Sequence, residues 1–308
     1  MTLITPSNPP TQLALQRLLS GLDSVITWVD INGNTEPLSG GLAPTEMGGY
    51  GEGLQLVDIK GLGAPFKHID QQGAHQDGAT WLDAPYDPIE IDMTLVAFGR
   101  DQIARRRVFR RWMDGWDAKR TGRLWWFTAE LGHWWIDLRL LQEMRDTLAA
   151  GDARSVKFAW AARGDFPFWS SYDSISTKLV ASNATTLADP AGNAAPNFMQ
   201  VSNRGDQDSW TIILCHGPGT FTIGDNGGPR RITLPLNAGE LARIETLPNR
   251  RTVVEVNTGA NIYPRLVGRF STPIAAGATV RIPITVTGAQ AGVTSAVASL
   301  TPLRKWPE

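Results

Sequence analysis

Cysteine, histidine, net charge and long apolar runs are all scarce in this chain, and each scarcity closes off a class of function. One cysteine in 308 residues permits no disulfide within the chain. Four histidines supply little from which to build a metal centre. A net charge of −1 offers no bulk attraction to nucleic acid or to an anionic membrane. No apolar run approaches the roughly 18–20 residues that span a bilayer. The start, Met1-Thr2-Leu3-Ile4-Thr5-Pro6, lacks both the basic head and the apolar stretch of a secretory leader. The expectation is a protein made in a cytoplasm that stays soluble or joins an assembly there, with no cofactor, no metal ion and no membrane partner.

Catalytic signatures are missing too. There is no Gly-x-Ser-x-Gly elbow, no His-Glu-x-x-His and no Cys-x-x-Cys. Cys215 ends the apolar run Ile212–Cys215 and is followed by His216, but neighbours in a strand point to opposite faces. A buried, hydrophobe-like thiol is the better reading than a nucleophile with its base. His68 with Asp70, and His75 with Asp77, each set an imidazole and a carboxylate on one side of an extended chain. Third and fourth ligands at familiar spacing are absent, so a surface loop is expected. Glu90 and Asp92 share a strand face, as a hydrolase pair would and as any polar strand face does. The glycines of Gly48–Gly53 resemble a phosphate loop, yet no Gly-Lys-Ser/Thr and no helical pattern follow them.

What the chain does have is a change of texture near residue 172. Nine of its twelve tryptophans lie between Trp81 and Trp169; from Val201 onward the sequence becomes short β-branched runs punctuated by Gly and Pro. At this length two domains are expected: an N-terminal arm over 1–23, a first domain over 24–172, a Ser/Thr/Asn/Ala-rich linker or loose edge strand over 173–200, and a second domain over 201–308. The charge is uneven, with eleven basic against seven acidic residues in 201–308, which would suit head-to-tail contacts between copies.

In the first domain, residues 24–31 read as a strand leading into the Asn32-Gly33-Asn34 hairpin turn. Ile89, Ile91, Met93 and Leu95 alternate with Glu90, Asp92, Thr94 and Val96 as in a half-buried antiparallel strand. Asp101 caps a helix running to about Lys119, with Ile103, Phe109, Trp112, Met113 and Trp116 near one face. Leu124–Thr128 and Trp134–Leu140 form a hairpin turning near Glu130–Gly132, and Val156–Ala161 is a further strand. About eight strands follow in the second domain, namely 210–215, 220–223, 231–234, 240–246, 252–256, 262–267, 279–287 and 293–300, which argues a β-sandwich.

Two clusters are candidates for binding. Arg105, Arg106, Arg110 and Arg111 crowd one helix; phosphate contact is one reading, but an exposed helix flank, or a subunit interface that reads Asp or Glu on a neighbour, fits an acidic domain better. Trp125-Trp126 and Trp134-Trp135 lie in strands where one of each pair must face inward. The outward one needs cover, from a sugar ring or, as interface composition favours, from a neighbouring subunit.

A series of short motifs runs through the chain in a fixed order. Ile26–Gly33 is followed by Leu38, then by Gly61-Leu62-Gly63-Ala64-Pro65, by Gln72-Gly73 and by Asp77-Gly78-Ala79. The helix and Trp-rich hairpin come next, then Asp165-Phe166-Pro167-Phe168-Trp169. Asn203-Arg204-Gly205-Asp206, Trp210–Gly219, Glu240–Thr246, Pro273–Gly288 and a closing Arg304-Lys305-Trp306 complete it. Read in this order, the chain resembles the distal tail proteins of long-tailed, siphovirus-type bacteriophages, over roughly residues 24–306. It departs from their pattern in the inserted Phe166 and in Glu245 at an acidic strand position.

The resemblance implies an α+β belt domain, antiparallel sheet plus helix, followed by an all-β, galectin-like β-sandwich. It implies a ring, usually a hexamer, joining the tail tube to the tip or baseplate of the virion, assembled in the host cytoplasm and without enzymatic activity. The implied partners are further copies of the chain, the tail tube protein, the tail-tip hub (tail-associated) protein and the tape measure protein, with DNA passing through the channel without specific binding. Sugar binding is not implied, because the galectin-style His-Asn-Arg set followed by Trp and Glu is missing. Two rivals remain from the residues themselves: a host-glycan-binding adhesin using Trp210, Phe221, Tyr263 and Phe270, and a glycan hydrolase using Glu90, Asp92 or Glu240.

Overall fold

The computed structural model describes residues 24–40, 51–74, 76–143, 154–250 and 252–308; the 1–23 arm, residues 48–50 of the glycine-rich stretch and His75 lie outside them. Contacts divide the described chain into two units. One comprises the residues up to Ser170 together with Lys305–Glu308, and the other Ser171–Arg304.

The first unit contains β1 (Val25–Val29), β2 (Thr35–Ser39), β3 (Gly53–Lys60), β4 (Ile69–Gln71), β5 (Thr80–Asp83), β6 (Ile89–Phe98), helix α1 (Gln102–Asp114), β7 (Gly122–Thr128), β8 (Gly132–Leu140), β9 (Ser155–Gly164) and β10 (Trp169–Ser170). Its main sheet has the order β2-β1-β7-β8-β9-β6-β3. β6 and β9 pair along ten residues, whereas β8 meets β9 only through Arg139 and Leu140. The two halves on either side of that short junction share one core. The alternation expected in β6 is realised: Ile89, Ile91, Met93, Leu95 and Ala97 are buried while Glu90 and Asp92 are exposed.

Turn chemistry places these strands. Asp30 accepts from the backbone of Asn32 and Asn34 (both 2.8 Å), and Gly33 takes φ +85°, so the β1–β2 hairpin closes where Asn-Gly predicts. Asp101 caps α1 by accepting from Ala104 N at 2.8 Å. The helix stops at Asp114, earlier than expected: the Gly115 N–H still reaches the Arg111 carbonyl, but the Gly115 carbonyl accepts from Ile31 N at 3.3 Å instead of from a further helical turn. Its buried side is also displaced from expectation: Ala104, Arg105, Val108 and Trp112 face the core, while Ile103 is 69 % and Met113 37 % exposed.

The second unit has β11 (Ser174–Ile175), β12 (Leu179–Ala181), β13 (Leu187–Ala188), β14 (Phe198–Ser202), β15 (Thr211–His216), β16 (Gly219–Gly224), β17 (Arg231–Leu236), β18 (Leu241–Glu245), β19 (Thr252–Glu255), β20 (Thr279–Thr287) and β21 (Ser295–Leu300). One sheet runs β13-β12-β21-β15-β18-β19, with β11 also on β21; the other runs β14-β20-β16-β17. Both contribute to a single core that includes Ile213, Ile244, Phe221, Ile284 and Leu300.

Two expectations are corrected here. Residues 173–200 are not a linker: β11 to β13 pair into the first of these sheets, and Leu179, Ala181 and Leu187 are core residues. Their Ser/Thr-rich composition masked strands of only two or three residues, too short to show periodicity. Residues 262–267 form no strand; Tyr263–Arg265 is a 3-10 turn, and only Val267 bridges to Thr233.

Glu255 organises the loop after β19. Its carboxylate accepts from the Thr258 hydroxyl (2.6 Å) and from the backbone N–H groups of Leu241, Asn257 and Thr258, and its pKa falls to about 2, led by the Thr258 hydroxyl bond. A depressed folded pKa means that the stabilisation is complete above the ordinary value of 4.5 and is lost as pH falls towards 2. Wild type should therefore lose melting temperature between pH 4.5 and pH 2 more steeply than Glu255→Gln. Parallel pH–Tm curves for the two would refute this role.

Candidate functional site

The β7–β8 hairpin sorts its four tryptophans by strand alternation. Trp126 and Trp134 point into the core, at 4 % and 3 % exposure, whereas Trp125 and Trp135 face outward and are half-buried. Trp126 packs edge-on against Trp169 at 6.1 Å, and the Trp134 indole N–H donates to Leu131 O at 3.0 Å. Both are therefore core residues and unavailable as the interface contacts expected of them.

Outward, Trp125 and Trp135 stand directly opposite each other across the strands, with ring centroids 4.8 Å apart. The Arg123 guanidinium lies 5.0 Å from the Trp135 ring and 5.8 Å from Trp125, and is held there by two bonds to Asp137 (2.6 and 3.1 Å). Phe127 and His133 continue the stripe, 4.5 Å apart. Arg123 was not singled out in the sequence. The signal that would have found it is the register, which puts Arg123 opposite Asp137, two residues along the strands from the Trp125–Trp135 pair. A face of tilted indoles, guanidinium and carboxylate offers stacking, cation–π and bidentate contacts together.

The arginines of α1 separate into three roles. Arg105 is buried among core residues, so it is not part of an exposed flank. Arg111 reaches back to β2 and bonds Glu36 through both carboxylate oxygens, one at 2.9 Å. Burial pushes the Glu36 carboxyl above its ordinary range, against the pull of the Arg111 charge. Arg106 and Arg110, with Arg107, remain on the outward face and make no ion pair among the described residues.

The rival chemistries find less support. Among the described residues no three His, Cys, Asp or Glu side chains are placed to hold a metal ion. His68 and Asp70 are exposed on or beside β4. Cys215 is fully buried, its thiol pushed up to about 12 by desolvation, and the His216 ring meets Val293 O instead. Glu90 and Asp92 are solvated, and Glu240 belongs to the other unit. There, the Asn237 N–H and the Arg265 guanidinium hold Glu240 below its ordinary pKa, the opposite of a general acid. Of the aromatics named for glycan stacking, Phe221 and Phe270 are core. No helix among the described residues is long and apolar enough to cross a membrane.

No family model and no curated protein matches the sequence. Solved structures do match the fold. The Dit protein of phage SPP1, described as a paradigm of the hub adsorption apparatus in phages infecting Gram-positive bacteria, aligns with TM-score 0.58 and 11 % identity over 91 % of this chain and 99 % of its own. Chains from the phage P2 baseplate, activated with calcium or with strontium, align with TM-scores of 0.53 and 0.52 at 11 % identity, over 92 % of this chain and 99 % of theirs. The chain thus has the fold of phage distal tail and baseplate proteins, as the order of its motifs suggests.

The two faces of the hairpin predict opposite mutant behaviour. Trp126→Ala should cost about 3–5 kcal/mol in urea unfolding, as large-to-small changes in a core do. Trp125→Ala should cost about 1 kcal/mol, the scale of its cation–π and ring contacts. Equal losses would mean that the outward face is structural as well.

Proposed function

We propose that this protein is a structural, non-enzymatic component of a bacteriophage tail tip, whose copies close into a ring between the tail tube and the tip or baseplate. The observation that carries this reading is the fold likeness to the SPP1 hub protein, which spans nearly the whole of both chains rather than one module. In this reading the first unit is the ring-forming belt domain and the second a galectin-like sandwich. The ring has about six copies, in keeping with closed cyclic symmetry. It meets the tail tube protein, the tail-associated protein of the tip and the tape measure protein, while DNA passes through without specific contacts. The outward Trp125–Trp135–Arg123 face and Arg106, Arg107 and Arg110 of α1 are the surfaces this assembly would cover.

Native mass spectrometry of the purified full chain, with negative-stain images of the same sample, tests the proposal. Closed rings of about six copies with a central hole are expected. A protein that remains monomeric at every concentration, and also fails to join purified tail tubes, would exclude it and favour the glycan-binding adhesin, to be pursued with a glycan array.

A further inference from the structure

Between the turn at Gly61–Pro65 and the start of β6, the chain leaves its own core. Every described residue from Phe66 to Asp83 is exposed, including both strands of the β4–β5 ribbon. A two-stranded ribbon is at best marginally stable alone in water. This one nevertheless displays Phe66, Ile69, Trp81 and Leu82 at 46–60 % exposure. It is also acidic. Lys67 is paired with Asp87 at 3.0 Å, which leaves Asp70, Asp77 and Asp83 without an ion pair among the described residues. Asp70 stands opposite Trp81, so a carboxylate and an indole share one face of the ribbon.

A complementary surface exists on the same unit. The outward side of α1 carries Ile103, Arg106, Arg107, Arg110 and Met113, which fall on one face at helical spacing. All are exposed, and the three arginines make no ion pair among the described residues. The arm therefore offers aromatic, aliphatic and acidic groups, and the helix offers aliphatic groups and guanidinium forks. Arg pairs with carboxylates in a planar, two-bond geometry and stacks on indole, so one surface satisfies both features of the other.

We propose that the β4–β5 arm of one copy seats its Asp70–Trp81 face on the Ile103–Arg106–Arg110 face of helix α1 in the next copy. The inference rests on the ring reading and names its contact. Two different patches of one chain meeting in this way form a head-to-tail interface, the type that closes rings when the rotation allows. The buried indole and the arginines are the residue types that dominate such contacts, while the exposed ion pairs add orientation and a dependence on salt.

Thiol cross-linking reads this contact directly, because native Cys215 is fully buried. Full-length Ala79→Cys and full-length Asp114→Cys are mixed and treated with a short bis-maleimide. A cross-linked heterodimer several-fold above that from Ala79→Cys mixed with Thr285→Cys is expected. No enrichment over this control overturns the arm contact, whatever the ring images show.

Trp81→Ala and Arg106→Asp/Arg110→Asp alter exposed positions, so their unfolding curves should match wild type. Each should weaken self-association about 30-fold in sedimentation velocity. A mixture of these two variants retains one intact half-contact per copy, and should give dimers but no rings. If either variant alone closes rings as wild type does, the arm is not the contact and the ring reading survives. Wild type without rings and without the cross-link would remove both.

Discussion

Four indoles fasten the first unit together, and the rest of its surface follows from them. Trp28 comes from β1, Trp112 from α1, Trp116 from just beyond the helix and Trp160 from β9. Trp28 stacks on Trp116 at 3.8 Å, and Trp112 and Trp160 approach edge-on or tilted at 5.2–6.3 Å. Each indole buries a large apolar area with few rotatable bonds, so one cluster joins both halves of the sheet to the helix. Backbone must come close for this to pack. A Cβ on Gly122 would lie 2.4 Å from the Trp28 ring, so that position on β7 is left without a side chain. Once Trp112 and Val108 are turned inward, helical spacing leaves Ile103, Arg106, Arg107 and Arg110 pointing away from the core. The exposed arginine face is a geometric consequence of anchoring the helix by its tryptophans.

The same kind of constraint explains a motif that has no meaning in local sequence. Gly61-Leu62-Gly63-Ala64-Pro65 reads as a turn, yet three of its residues, Leu62, Gly63 and Ala64, meet residues far away in the chain. A Cβ on Gly63 would lie 2.3 Å from the Trp306 ring, and the Ala64 N–H donates to Lys305 O at 3.1 Å. The Trp169 indole donates to Leu62 O at 2.8 Å. The last residues of the chain thus belong to the first unit, packed on a turn some 240 positions earlier. Periodicity cannot anticipate such a return, because neither segment is a regular element.

Legibility in the sequence follows the same divide. β6, the β7–β8 hairpin, the Asn-Gly turn and the Asp101 cap were readable because each rests on residues within about ten positions. The helix boundary and its buried side were misjudged because Gly115 and the indole cluster, rather than the count of apolar residues, decide them. The strands β11 to β13 read as no more than a linker or loose edge strand, because β11 and β12 pair with β21, more than a hundred residues away, and β13 pairs, among the described residues, only with the short β12. For the candidate site, alternation foretold that one tryptophan of each pair must turn outward, but only the register shows which, and that Arg123 joins them.

A fold shared at 11 % identity with the SPP1 hub protein has consequences for where assembly can be read. Core geometry can be met by many sequences of suitable size and patterning. Interface chemistry is less forgiving, since a buried charge without its partner costs more than a poorly packed methyl group. Neighbours of such low identity therefore say which elements exist and where they lie, but not which side chains meet between copies. That information has to come from surfaces of this chain that its own fold leaves incomplete. An arm with no core beneath it and a helix face of arginines without ion pairs among the described residues are two such surfaces, and they carry opposite charge. Steering by opposite charge would bring copies together in one orientation, and indole burial would then retain them. A contact of this kind, if copies of the chain make it as proposed, would weaken with added salt in its rate of association more than in its final stability.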